Sequence, residues 1–408
     1  MPVSASEAPP TAARNLYAFG LTSFLNDTAS EMAYWVLPAF LVSLGAGPAQ
    51  LGLIEGIAES VASFAKLFSG YLTDRIDRRK PLVVAGYFVA NAVKPALAVV
   101  TGWWQVLPIR FTDRLAKGVR GAPRDVMVAE SVGKERLGSA YGLIQSMDSA
   151  GAIAGPLAAL VLLARFGMRG VFWAAAVPGA LCVMVALFGI QETKRRSVDG
   201  SERKPTQKSN AVPVVAVGGL SASYYMILIA VTLFSLGNSS DMFLVMRAQN
   251  VGIPVALAPL LGLVFNLTYT LGSWPAGWFS DHVSRRWIAA AGYLIFAAVY
   301  FVFGRAPSTL AIWITMAVYG LYYALTQPVL KALVVETVRP EVRGRALGVY
   351  FFATSMATLA ASLITGELWK HYGAGIPFYA SAALATVSAI MLVIKPVAAS
   401  PRNQTATL

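Results

Sequence analysis

The 408-residue sequence contains one cysteine and two histidines. Cys182 stands alone in an apolar run, so neither a disulfide framework nor a cysteine metal site can be built. His282 and His371 fall at the edges of polar breaks, far apart in the chain, which leaves no His/Cys cluster for a metal. Charge is scarce too: 13% of residues are Asp, Glu, Lys or Arg, about half the ~25% of a water-soluble domain. A nucleotide-binding glycine loop and a nucleophile–base constellation are both missing, so ATP-driven pumping and enzymatic catalysis lack their parts. Residues 1–15 are polar and lack the apolar core of a signal peptide, so the first long apolar run is expected to persist as a helix.

What is present is apolar: 56% of residues are hydrophobic. A helix crossing a bilayer needs roughly 20 mostly apolar residues, and only helices or closed barrels satisfy their backbone in lipid. Long apolar runs separated by short polar breaks predict helices over 16–45, 50–73, 80–101, 103–131, 138–164, 169–191, 224–248, 254–280, 286–304, 308–335, 343–368 and 374–395, numbered α1 to α12 in chain order. The runs are far too long for barrel strands.

The net charge of +13 does not point to nucleic acid, because the charges do not gather on one soluble basic domain. They mark topology instead. Arg75, Arg78, Arg79 and Lys80 follow α2; Lys194, Arg195, Arg196, Arg203, Lys204 and Lys208 follow α6; Arg285 and Arg286 follow α8; Arg339, Arg343 and Arg345 follow α10. The breaks at 45–48 and 101–102 carry no charge. By the positive-inside rule the even-numbered breaks and both termini are cytoplasmic. The expected organisation is a cytoplasmic tail over 1–15, a six-helix bundle over 16–191, a Ser/Lys/Arg-rich cytoplasmic linker over 192–222, a second six-helix bundle over 223–396 and a cytoplasmic tail over 397–408. The fold class is therefore an all-α membrane protein of twelve transmembrane helices in two pseudo-symmetric bundles.

The halves repeat. Gly70, Asp74, Arg78 and Arg79 return as Gly277, Asp281, Arg285 and Arg286 at an offset of 207; Glu31-Met32 returns as Asp241-Met242 at 210; Glu130 and Gly138 return as Glu336 and Gly344 at 206. A near-constant offset of half the chain marks an internal duplication, which in transporters places the site between the repeats at mid-membrane.

The string Gly70-x-x-x-Asp74-Arg75-x-x-Arg78-Arg79, with its copy at Gly277–Asp281–Arg285, resembles the loop signature of the major facilitator superfamily; Asp77 stands where that pattern has Gly. The resemblance covers nearly the whole chain. It implies a cytoplasmic gate at these loops, with Gly70, Asp74, Arg75, Arg78, Gly277, Asp281 and Arg285 in it, joined by Arg120 and Arg124 from the inner end of α4. An acid at a helix end can cap a neighbouring helix or pair with arginine, and either contact breaks when the bundles rock. In α5, Gly142, Gly151 and Gly155-Pro156 resemble the antiporter motif of the family's twelve-helix drug/proton exporters, with Ala159 for the last Gly. Small residues bring helices close, and Gly-Pro loosens one. Arg114-Leu-Ala-Lys117-Gly118 resembles the family's α4 motif, whose Arg is linked to proton coupling; Lys117 stands for the usual Gln and Arg120 for a usual Gly.

Ionisable groups inside a membrane are costly and default to function. α4 is the richest, with Arg110, Asp113, Arg114, Lys117, Arg120, Arg124 and Asp125. At ~100° per residue these cover about 140° of the helix and must face water or partner charges. In α1, Asp27 and Glu31 lie four apart on one face beside Asn26. A carboxyl between apolar surroundings and a nearby Arg is suited to exchanging protons. The expected proton-coupling set is Asp27, Glu31, Arg114 and Asp241, and the expected cavity lining is Asn26, Lys94, Arg110, Asp113, Lys117 and Arg247, with Arg247 otherwise at the outer rim.

The function expected is proton-coupled efflux of a small organic compound by alternating access. The apparent excess of Lys94, Arg110, Arg114 and Lys117 over acids suggests an anionic or zwitterionic substrate. The alternative is proton-coupled uptake of an organic anion: a phosphate ester, a carboxylate or a metal–chelator complex. No cofactor, metal or nucleic acid is expected. The expected partners are a small-molecule substrate, protons and the lipid of a bacterial-type inner membrane, with the chain acting as a monomer and not as an enzyme.

Overall fold

A computed structural model describes residues 10–73, 76, 78–132, 137–192, 222–306, 308–338 and 343–394. Among these residues the regular structure is entirely helical. α1 runs Pro10–Tyr34 and resumes as Leu37–Ser43; α2 is Pro48–Thr73; α3 is Lys80–Val93, extended by a 3-10 turn at Pro95–Val99; α4 is Val106–Ser131. Leu137–Ala174 holds α5 and the start of α6, separated by a break at Gly167, and Ala176–Gly189 completes α6. Gly167 has φ 64°, a left-handed conformation that suits a residue without Cβ. α7 is Ala222–Gly237, resumed as Met242–Asn250. α8 is Ala258–His282, α9 Arg285–Arg305, α10 Thr309–Glu336, α11 Arg343–Tyr372 and α12 Ile376–Val393.

α1 starts at Pro10, six residues before its expected first position. Proline is tolerated in a first turn because its missing N–H has no partner to lose. The extension is tied down: Arg14 Nη2 donates to the Phe188 carbonyl at 2.8 Å, and Asn15 Nδ2 to that of Gln191 at 3.1 Å. α1 and α7 each break where one continuous span was expected, at Trp35-Val36 and at 238–241. The polar run Asn238-Ser-Ser-Asp241 is the sequence signal for the second break.

Among the described residues, eight stretches are long and apolar enough to cross a membrane, and they cover nine of the spans. The three left over are α1, α2 and α4, each of which carries ionisable residues. Of these, α1 and α4 supply most of the lining of the central cavity. Their charge is affordable because it faces the interior, whereas the outer girdle is apolar: Phe68, Phe166, Phe188, Leu271 and Leu310 are all more than 60% exposed.

The bundles meet along α2–α11 and α5–α8. At the outer end, Gly366 of α11 lies against Pro48 and Ala49, and a Cβ there would come within 2.7 Å of the Pro48 carbonyl. Further in, Gly52 lies against the Ser362 carbonyl and Gly56 against Leu359. Gly262 of α8 sits flat beneath the Trp35 indole. The outer pieces of α1 and α7 also touch each other. Towards the opposite ends, Gly70, Gly142 and Gly348 have no neighbour within 4 Å of a Cβ position. The bundles are thus packed closely on the side opposite the basic loops.

Candidate functional site

Between α1, α3 and α4 lies a cavity of about 70 Å³, lined on one side by Asp27 and Glu31 and on the other by Lys94, Arg110, Asp113, Arg114, Lys117 and Arg120. Glycines set the helix spacing around it. A Cβ on Gly118 of α4 would stand 2.5 Å from the Ala62 carbonyl of α2, so these helices nearly touch. Gly86 of α3 lies as close to Arg120 of α4, where a Cβ would come within 2.6 Å of the arginine Cβ. Gly151 and Gly155 of α5 lie against α1, where a Cβ would fall 3.1 Å from Asp27 Cβ and 2.7 Å from Glu31 Cβ respectively. The two glycines and Pro156, buried beside Gly155, therefore seat the α1 acids. Gly142, grouped with them by the motif, faces open space and takes no part in this packing.

The close approach of α2 and α4 builds a ladder that the charge pattern of α4 alone did not reveal. Arg110 forks onto Glu55, with Nε at 2.8 Å and Nη2 at 2.9 Å, and Glu55 is completely buried. One turn further in, Arg114 pairs with Glu59 at 3.0 Å. Lys94 reaches Asp113 at 3.3 Å and also donates to the Ala90 carbonyl and Asn91 Oδ1. Arg110 contacts Asp113 as well, at 3.7 Å. The excess of cations expected from the sequence is thus corrected: three of its four members are paired. Glu55 and Glu59 were legible as two acids four apart in the apolar run Leu-Ile-Glu-Gly-Ile-Ala-Glu, but their partners were not.

Asp27 and Glu31 have no cation within 4 Å among the described residues. Asp27 Oδ1 accepts from Asn26 Nδ2 at 3.0 Å, and Asn26 Oδ1 accepts from Asn91 at 3.3 Å, so Asn26 links α1 to α3 rather than lining the cavity. Glu31 Oε2 accepts a hydrogen bond from Trp35 Nε1 at 2.7 Å. Trp35 is the residue that lies over Gly262 and 6.2 Å from the Phe265 ring, both in the opposite bundle. Arg114 stands at Glu59, not at either α1 acid.

Asp241, at the break in α7, is held by two tyrosines of α10: Tyr319 donates to Oδ1 at 2.6 Å and Tyr323 to Oδ2 at 2.9 Å. Its neighbour Ser240 donates to Glu55 Oε2 at 3.3 Å, which carries the polar ladder across the seam. Arg247 is not a cavity residue. Its guanidinium donates to the carbonyls of Phe303 and Gly304 at 3.0 and 3.1 Å and so caps the C-terminal end of α9 at the outer rim.

Of the expected gate, Asp74 and Arg75 lie outside the described residues, and for Gly277 and Asp281 only the helical backbone is described. Arg78 is exposed, Arg285 begins α9 and Gly70 faces open space. Arg124 is engaged within its own bundle, with Asp125 at 3.1 Å and Ser23 at 3.4 Å. Arg120 faces the cavity, its guanidinium 4.3 Å from the centre of the Tyr87 ring, and is not a gate residue here. Arg79, read from the sequence as a topology marker only, is buried and its Nη1 donates to both Glu130 oxygens at 2.7 Å, while Glu192 accepts from its backbone N–H at 2.9 Å.

A family model described as Major Facilitator Superfamily matches residues 19–247 and again 214–407. An uncharacterised MFS-type transporter of Methanocaldococcus jannaschii is 31% identical over 392 residues, 93% of this chain and 94% of that one. The multi-drug resistance efflux pump PmrA of Streptococcus pneumoniae is 22% identical over 397 residues, covering 93% and 96%. Among solved structures, a bacterial homologue of the human lysosomal transporter Spinster, inward-facing and unoccupied, superposes with a TM-score of 0.71 at 15% identity over 95% of this chain and 96% of that one. The nucleoside transporter NupG does so with a TM-score of 0.69 at 14% identity, covering 93% and 99%. At these identities the structures speak to the fold alone.

Proposed function

This chain belongs to the major facilitator superfamily, a family of multi-span membrane transporters, and from that premise we propose that it exports a small anionic or zwitterionic organic compound in exchange for protons. The observation that carries the proposal is the Glu31–Trp35 hydrogen bond of 2.7 Å. Glu31 faces the cavity, while Trp35 is wedged against Gly262 of the other bundle, so one bond joins a titratable group to the outer seam. A carboxylate is a stronger acceptor than a carboxylic acid. Protonating Glu31 therefore weakens its hold on Trp35 and loosens the closed outer side. Re-ionisation, once the cavity faces the cytoplasm, tightens it again. A ligand or proton can shift the two states only by its differential interaction with them, and this bond supplies one.

Asp27 stands one turn away on the same face and carries the second proton site, while Asp241 answers Glu31 in the opposite bundle. Arg114 acts through Glu59: its charge fixes the α2–α4 ladder, which holds the cavity wall in register. Export rather than uptake is supported by the similarity to PmrA, an efflux pump.

The test is proton movement in proteoliposomes. Compounds that inhibit growth of an efflux-deficient host, and are relieved by this protein, are added to vesicles carrying an internal pH dye. Substrate-dependent pH change is expected with wild type and is expected to vanish in Glu31→Gln. A flux that persists at wild-type coupling in both Glu31→Gln and Asp27→Asn would sink the proposal.

A further inference from the structure

Arg120 is 5% exposed, and its Nη1 has no hydrogen-bond partner among the described residues. It also has no carboxylate within 4 Å among the described residues. The acid nearest in sequence, Asp113, is taken up by Lys94 at 3.3 Å and Arg110 at 3.7 Å. A buried guanidinium left unpaired is strongly unfavourable, so something must offset it. The site around it is built for the side chain: Gly86 makes room for its Cβ, and its Cζ lies over the Tyr87 ring, 4.3 Å from the ring centre. That stacking satisfies one face of the cation and leaves its N–H edge free. One turn back on the same helix, Lys117 lines the same cavity, also without a carboxylate within 4 Å.

We propose that the free edge of Arg120, with the Lys117 ammonium beside it, is the subsite that binds the oxyanion of the substrate, a carboxylate or a phosphate. The inference rests on the transport reading, since it assigns the acidic end of the transported compound. Of the cations in the cavity, Lys94, Arg110 and Arg114 are consumed by Asp113, Glu55 and Glu59, which leaves Arg120 and Lys117 to a ligand. Arginine's planar fork suits a two-oxygen acceptor, and the ammonium supplies an adaptable third donor. Asp27 and Glu31 line the same cavity from α1 and repel a second anion, so the site admits one oxyanion at the α4 wall.

The experiment is thermal unfolding of the full-length protein in detergent at constant ionic strength, titrated with inorganic phosphate, succinate or neutral succinamide. A saturable rise in Tm is expected with phosphate or succinate and none with succinamide; whichever anion acts identifies the oxyanion class. Arg120→Gln should abolish the rise and Lys117→Gln should weaken apparent affinity about tenfold, while the exposed Arg165→Gln leaves it unchanged. Should Arg120→Gln fail to give a monodisperse protein, Arg120→Lys keeps the charge without the fork and should bind about tenfold more weakly. The proposal is overturned if neither anion shifts wild type, or if the folded Arg120 variant titrates like wild type. Proton movement is measured separately: Arg120-dependent binding without proton flux leaves the subsite standing and removes the antiport reading, and coupled flux with anion binding unchanged in the folded Arg120 variant does the reverse.

Discussion

Glu55 of α2 accepts a hydrogen bond from Ser240 of α7 at 3.3 Å while Arg110 of α4 forks onto the same carboxylate, so one wholly buried charge spans the seam between the two bundles. Ser240 N–H in turn donates to Ser362 Oγ of α11 at 3.3 Å. Removing one member of a buried ion pair costs about 3–5 kcal/mol, because the other is left uncompensated. Glu55→Gln is therefore expected to destabilise the outer closure. A cysteine at Ala49, which packs against Gly366, reports on it in a Cys182→Ser background. A membrane-impermeant thiol reagent added from outside should label it faster in Glu55→Gln than in the parent; equal rates would mean the bridge does not hold the seam.

The α5 glycines should differ sharply from one another. Gly155→Ala drives a Cβ to 2.7 Å from Glu31 Cβ and 2.8 Å from the Thr28 carbonyl, and Gly151→Ala drives one to 2.5 Å from the Phe24 carbonyl. Overpacking of this kind typically costs ~1–3 kcal/mol. Gly142→Ala meets nothing within 4 Å and should lie within about 0.5 kcal/mol of wild type. Tm in detergent separates them, and equal losses at all three positions would contradict the packing described.

Trp35→Phe keeps a ring over Gly262 but removes the donor to Glu31. If the bond couples proton and seam, Trp35→Phe and Glu31→Gln act on one interaction and their effects on transport rate will not add. A double-mutant cycle should return a coupling of about 0.5–3 kcal/mol. Additive losses would separate Trp35 from proton coupling.

Asp241 depends on two hydroxyls. Tyr319→Phe and Tyr323→Phe each remove one donor to a charged acceptor, worth about 1.5–3 kcal/mol. The double variant leaves the carboxylate with neither, and Asp241→Asn, which removes the charge, should recover much of the lost Tm in that background. No recovery would show that the tyrosines act through packing with Phe265, whose ring lies 5.1 Å from that of Tyr323, rather than through the acid.

Some of this was written in the order of residues. Apolar runs of span length, the basic loops and the repeat of Gly70–Arg79 at Gly277–Arg286 determine a duplicated twelve-helix membrane fold, because lipid admits few other solutions for such a chain. The ionisable residues of α1 and α4 were visible for the same reason: charge inside a span has to face inward. What periodicity along one helix cannot give is the partner across the gap. Arg110 and Arg120 look alike on the α4 stripe, yet Gly118 brings Glu55 to the first and Gly86 brings only a tyrosine ring to the second. Arg247 looked like a cavity cation until the end of α9 was found beneath it. Sequence thus determined which residues carry charge into the membrane, and tertiary packing alone decided which of those charges pair with one another and which stay unpaired among the described residues, because pairing depends on distances between helices that no single helix encodes.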